Sequence, residues 1–189
     1  MAKRLRDGTR GAHHALDHHP HLQRLIRPGL TPAGYGASLL ALYAPHAGLE
    51  QGVAEGVARL GLGEPSPSRL ARLQADLEAL GLAAPVFTPV RLLPVATTAA
   101  ELVGQRYVLE GSRLGSQVIV RLVRGALGPA APLGFFSTPA PERHWHDFLA
   151  FAEHNCPSDQ HDMALAAAQA TFDAFLASLD RTPLNLGTA

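Results

Sequence analysis

The residues best suited to chemistry fall in two short stretches far apart in the chain. The first is RDGTRGAHHALD, residues 6–17. Neighbours on a helix are turned by about 100°. With Leu5 as zero, Thr9, Ala12 and Leu16 lie within about 40° of it and mark a stripe that must be buried. His13 then sits at about 80°, on the edge of that stripe, and His14 at about 180°, facing water. Arg6, Arg10 and Asp17 share the flank of His13. A neutral imidazole is the commonest protein metal ligand. A carboxylate one turn on can hydrogen-bond its second nitrogen, setting the tautomer and raising its basicity. Arginines on the same flank can hold acidic groups of whatever the imidazole binds. The competing reading is an ordinary boundary histidine with solvated arginines.

The second stretch is YVLEGSRLGSQVIV, residues 107–120. Gly111 and Gly115 stand one turn apart in a segment otherwise suited to helix, each costing ~1 kcal/mol relative to alanine. Gly104, Tyr107, Val108, Val118 and Leu122 share their face. Arg106, Arg113, Gln117 and Arg124 lie opposite, with Glu110 able to pair with Arg106 or Arg113. The pattern predicts an inward glycine face and a solvated polar face, with Ser112 on the shoulder. Either another helix packs closely here, or something flat lies against bare backbone.

Helices must position both stretches, because no strand-type alternation and no repeat occurs. The first spans about 3 to 17 and stops before Pro20. A second opens at Thr31 and Pro32, with Pro45 a possible kink. A third is capped by Ser66 or Ser68 and stopped by Gly81. Residues 83–94 read as an extended connector. Thr97 or Thr98 caps a long helix over about 98–126. A Gly/Pro-rich loop over 128–141 precedes a helix containing RHWHDFLAFAEH, and the last helix covers about 158–180. The expectation is an all-α fold of six or seven helices, one domain over residues 1–189 with 182–189 as a tail.

Composition narrows the function. Lys and Arg number 16, as do Asp and Glu, so neither a nucleic-acid footprint nor a polybasic membrane patch is expected. One cysteine, Cys156, excludes an internal disulfide framework. No signal-peptide core or membrane span is visible, which points to a soluble cytoplasmic protein. Five of the ten histidines fall between His13 and His21. His14 and His18, four apart, raise the possibility of a zinc or nickel site, although no third inward ligand accompanies them.

Four blocks resemble the haem oxygenase family, especially bacterial members that supply biliverdin to phytochrome-type photoreceptors. LRDGTRGAHHALD resembles the proximal-helix pattern, with a threonine four residues before the axial histidine. YGASLLALYAPHAGLE resembles the second-helix pattern ending in Leu-Glu. ELVGQRYVLEGSRLGSQVI resembles the distal helix, with EGSxLG its most specific piece, and WHDFLAF a C-terminal block. The resemblance implies a helical haem oxygenase-like fold and His13 as ligand to the iron of haem b, which is both cofactor and substrate. It places Arg6, and less firmly Arg10, at the haem propionates. Tyr107, Gly111 and Gly115 would line the oxygen side. Ser112 falls where many members carry an aspartate that orders distal water, and Ser116 where a second glycine is common. The implied reaction opens the ring at a meso carbon with O2 and external electrons, giving biliverdin, CO and free iron. No flavin or NAD motif is present, so electrons would come from a ferredoxin or flavin-reductase type of protein, and a bacterial phytochrome could accept the product. Two alternatives remain: a haem carrier without turnover, and a related helical enzyme without haem. The latter would draw on Glu50, Glu101 and His154 for a di-iron centre, or on Cys156 as a nucleophile.

Overall fold

The computed structural model describes residues 1–85 and 92–183. Among these, eight α-helices and one 3-10 turn carry the chain: α1 (Ala2–Gly8), α2 (Arg10–Asp17), α3 (Pro20–Ile26), α4 (Pro32–Leu60), α5 (Leu70–Ala79), α6 (Ala99–Leu127), α7 (Pro141–Asn155), the turn Ser158–Gln160 and α8 (His161–Asp180). The all-α expectation holds, with more and shorter pieces at the N-terminus. The expected tail begins with Thr182, whose carbonyl accepts from His21 Nε2 at 3.0 Å; residues 184–189 lie outside the described residues, as does the middle of the 83–94 connector.

Local chemistry explains the boundaries. Thr9 divides the expected first helix. Its hydroxyl donates back to the Leu5 carbonyl at 2.7 Å, and its ψ opens to 4°. Threonine back-bonding of this kind bends helices. Pro20 ends α2 as expected and also opens α3, because its fixed φ and missing N–H suit a first helical position. Thr31 caps α4 by accepting from the Gly34 amide. The helix continues through Pro45 to a left-handed Gly61. It is buried on nearly every side, as a central helix must be. Helix α5 starts at Leu70, with the Ser68 hydroxyl accepting from the Leu70 amide at 3.1 Å. Thr98 and Glu101 form a reciprocal capping box at the start of α6.

The N-terminal helices run parallel to α8 in steady register. Arg4 pairs with Asp162, Gln169 Nε2 donates to the Gly8 carbonyl at 2.9 Å, and the His13 ring meets Phe172 edge-on at 6.1 Å. His19 Nε2 reaches Asp180 at 3.3 Å. Helix α8 also packs tightly on α6. A Cβ on Gly104 would lie 2.3 Å from the Ala164 carbonyl oxygen and 2.8 Å from the Ala168 nitrogen. Gly104 is therefore a close-approach glycine.

Candidate functional site

Helix α2 rests on α8 and α3 rather than along α6. Thr9, which caps its start, touches α6: the Tyr107 phenol lies 3.4 Å from the Thr9 hydroxyl. His13 is one turn beyond Thr9, and Gly111 one turn beyond Tyr107. From that shared point the two helices carry the two candidate stretches onward.

The Leu5, Thr9, Ala12 and Leu16 stripe is buried or half-buried, so the orientation of the first segment follows the sequence pattern. His13 sits at its edge with a 62% exposed side chain, its Nδ1 2.8 Å from Asp17 Oδ2. Assigning the proton to Nδ1, opposite the carboxylate, makes Nε2 the unprotonated nitrogen. The Nε2 lone pair is then free, and the carboxylate makes it a better donor. His14 points elsewhere and stacks on His18 at 3.9 Å. Arg6 and Arg10 are exposed, Arg10 donating to Asp7 at 2.9 Å and Arg6 lying 3.9 Å from the same oxygen. A hydrogen bond from Lys3, and after it one from Arg10, draws Asp7's carboxyl below its usual value.

The glycine face of α6 departs from its expected burial. Only its first turns are covered, by α8 at Gly104 and by Trp145 and Phe148 of α7 at Tyr107. At Gly115 an added Cβ would meet nothing within 4 Å, and at Gly111 only Trp145 Cζ3 at 4.0 Å. Leu114, Val118 and Leu122 are 37%, 49% and 43% exposed, large apolar side chains left open along the same part of the helix. Backbone has been bared here without any helix filling the gained space. The opposite side corrects the sequence reading more sharply. Arg113 and Glu110, expected in water, are each 2% exposed and pair at 3.0 Å. Arg106 is half-buried with its guanidinium over the Phe151 ring at 4.2 Å, whereas Gln117 is exposed and donates to Glu142. Arg124 is exposed as expected.

The reason is a buried polar cluster the sequence reading missed. On α4, His46 and Glu50 lie 2.8 Å apart, and Glu50 also accepts from the Ser68 hydroxyl and the Arg69 amide. Burial drives the His46 pKa down to about 4, helped by the Arg69 charge. Neutral His46 donates Nε2–H to Glu50. Burial raises the Glu50 carboxyl, but hydrogen bonds from His46, Ser68 and the Arg69 amide outweigh it, leaving a pKa of about 2. Arg69 is 3% exposed; its guanidinium lies over Phe135 at 4.9 Å and donates Nη2 to Ser112 Oγ at 2.5 Å. Ser112 spends its own proton on the Leu109 carbonyl at 2.6 Å. Glu110 accepts from Ser66, and Arg113 Nη2 donates to the Pro67 carbonyl at 2.6 Å. One signal for this cluster was available: His46 and Glu50 stand four apart in an otherwise apolar stretch.

The remaining candidates are scattered. Glu101 is consumed in the α6 cap, His154 is exposed on α7 and Glu50 belongs to the cluster above. Cys156 is buried at the end of α7, where burial pushes its thiol up. No group of three His, Cys, Asp or Glu able to hold a metal ion occurs among the described residues, so the His14–His18 pair gains no third ligand. No described helix is long and apolar enough to cross a membrane.

No family model and no curated protein matches the chain. Solved structures do. The haem oxygenase of Neisseria meningitidis, solved with NO and CO bound, superposes with a TM-score of 0.73 at 20% identity, covering 99% of this chain and 93% of that one. The haem oxygenase of Leptospira interrogans gives 0.68 at 17% identity, covering 94% and 97%. The chain has the all-α haem oxygenase fold over essentially its whole length.

Proposed function

We propose that the chain is a haem oxygenase, opening haem b at a meso carbon to biliverdin, CO and iron. One observation carries this reading. His13, its Nδ1 held by Asp17, and the open glycine face of α6 extend from the same Thr9–Tyr107 contact. The residues fit the group. His13 offers Nε2 as a ligand atom, Gly111 and Gly115 leave room for a flat ring against backbone, and Leu114, Val118 and Leu122 offer apolar cover. Arg6 and Arg10 lie on the flank where acidic substituents of the ring would emerge. When bound, haem would supply both the iron that activates oxygen and the carbon skeleton that is opened.

The protein's own part is positioning and polarity. Asp17 orients the imidazole and raises its basicity. The glycines let the α6 backbone approach closely. Carboxylates are turned away from the open face: Glu110 to Arg113 and Ser66, Glu50 to His46, Ser68 and the Arg69 amide. Ser112 presents a hydroxyl already committed to Leu109, with the Arg69 charge behind it. That side is therefore only weakly acidic, and a strong distal acid would favour other haem chemistries. Electrons come from a separate ferredoxin or flavin-reductase type of protein in the cytoplasm, and a bacterial phytochrome is a fitting acceptor for the product.

The test mixes purified protein with haemin, a reductant and air, and follows the absorption spectrum. Loss of the haem bands with growth of a biliverdin band supports the proposal. A stable histidine-ligated haem spectrum identifies a carrier instead, a reading favoured by the saturated Ser112 hydroxyl. Absence of any haem complex refutes both.

A further inference from the structure

Trp145, the chain's only tryptophan, stands in the second turn of α7 at the boundary of the open glycine face. Among the described residues, its Cζ3 is the one atom from outside α6 that a Cβ on Gly111 would meet, at 4.0 Å. At Gly115, one turn on, nothing stands that close. The indole leans on Tyr107, with ring centroids 5.8 Å apart, and on Phe148, with centroids 5.2 Å apart. Tyr107 itself packs on Phe148 at 6.2 Å and meets Thr9 through its phenol. Phe148 is fully buried, whereas Trp145 is half-buried. Trp145 thus has a firm back against the core and a free front beside bare backbone. Thr9, Tyr107 and Trp145 form one line of contacts from the start of α2, across α6, to α7.

This wall is aromatic, whereas the flank of His13 carries the exposed cations Arg6 and Arg10. A haem ring has one edge with two ionised propionates and other edges with methyl and vinyl groups. A carboxylate turned to an aromatic wall loses water and gains no partner. Beside the arginines it keeps water and gains a cation. An apolar edge loses nothing against indole. The four meso bridges are related by quarter-turns about the ring centre, so a ligand on the central axis, such as His13, cannot choose among them. Contacts at the rim must.

We propose that Trp145 is a specificity-determining residue: its indole edge stops the haem ring from turning in its own plane and so selects the meso carbon that lies beside Ser112. The proposal rests on the haem reading and adds to it the residue that sets the isomer of the product.

Full-length protein is loaded with haemin and excess cyanide, and proton NMR of the strongly shifted ring-methyl signals counts the in-plane orientations. The unchanged protein should show one predominant set. In Trp145→Ala the minor orientations should gain at least about tenfold on the major one, equivalent to ~1.4 kcal/mol less discrimination. Trp145→Phe, which keeps a ring at this place, should restore the single set. Trp145→Leu, which keeps apolar cover over Tyr107 and Phe148, replaces Trp145→Ala if that variant fails to fold and should behave likewise. With reductant and air, chromatography should show mixed biliverdin isomers from the variant that lost its single set. A purely structural Trp145 would lower the melting temperature on substitution without altering the methyl pattern. A histidine-ligated haem complex with an unaltered methyl pattern in Trp145→Ala or Trp145→Leu would overturn this proposal and leave the haem reading standing. Absence of any haem complex in the unchanged protein would overturn both.

Discussion

Gly115 and Gly104 make opposite forecasts for the same change on one helix. Gly115 is exposed, helical, and surrounded by empty space where a Cβ would stand. Gly115→Ala should therefore gain the intrinsic helical advantage of alanine, ~1 kcal/mol. For a domain of this length that raises the melting temperature by about 2–4 °C. Gly104 has the same propensity to gain, but its Cβ would stand 2.3 Å from a backbone oxygen of α8. Relief needs α6 and α8 to separate, and overpacking of this kind costs about 1–3 kcal/mol. Gly104→Ala should melt at or below the unchanged protein. Thermal denaturation by circular dichroism, without haem, checks both. The functional half uses Gly115→Leu, which projects a branched side chain into the same space. It should remain folded, yet lose saturable haemin binding or ring opening. If Gly115→Leu binds and degrades haemin normally, no ring lies against this backbone. A lower melting temperature for Gly115→Ala would show that the space is not open.

His13→Ala should abolish the histidine-ligated haem spectrum, and added imidazole should restore it; the same effect from His14→Ala would reverse the assigned orientation of the first segment. Arg113→Ala should lower stability by ~3–5 kcal/mol in urea unfolding, because it leaves Glu110 buried without its cation, while Arg113→Met with Glu110→Leu should recover much of the loss. His46 adds an acid sensitivity. Its folded pKa of about 4 lies below the ordinary 6.5, so the unfolded chain binds the extra proton, and stability should fall as pH drops from 6.5 to 4, by on the order of 3 kcal/mol. Glu50, held at about 2, continues the decline below about pH 4.5 as its carboxylate is protonated. His46→Gln should flatten the upper part of that profile in urea midpoints measured across pH; an unchanged slope would mean another group is responsible.

Periodicity served well wherever one face of a helix meets the core. It oriented the Leu5 to Leu16 stripe and located His13 at its margin. It failed on α6, which is covered on two sides and open between them: α8 covers one face at its start, while Ser66, Pro67 and Arg69 cover the other. A helix wheel cannot distinguish a solvated arginine from one paired to a carboxylate inside, since the partner lies on the same helix and the cover comes from distant loops. The glycine face was legible as unusual. Its openness was not, because emptiness depends on what neighbouring elements leave out. The split at Thr9 and the short α3 were hidden for a smaller reason. A threonine hydroxyl and a proline ring each reset the chain within a single turn.

The register between the first helices and α8 has a consequence for biosynthesis. Gly8 is held by Gln169, and His19 by Asp180, each pair 161 residues apart. At a ribosome's pace the leading segment waits on the order of ten seconds for the support it will lie on. Until then its imidazole has no Phe172 ring beside it. The charged character of those first residues keeps the waiting segment in solution.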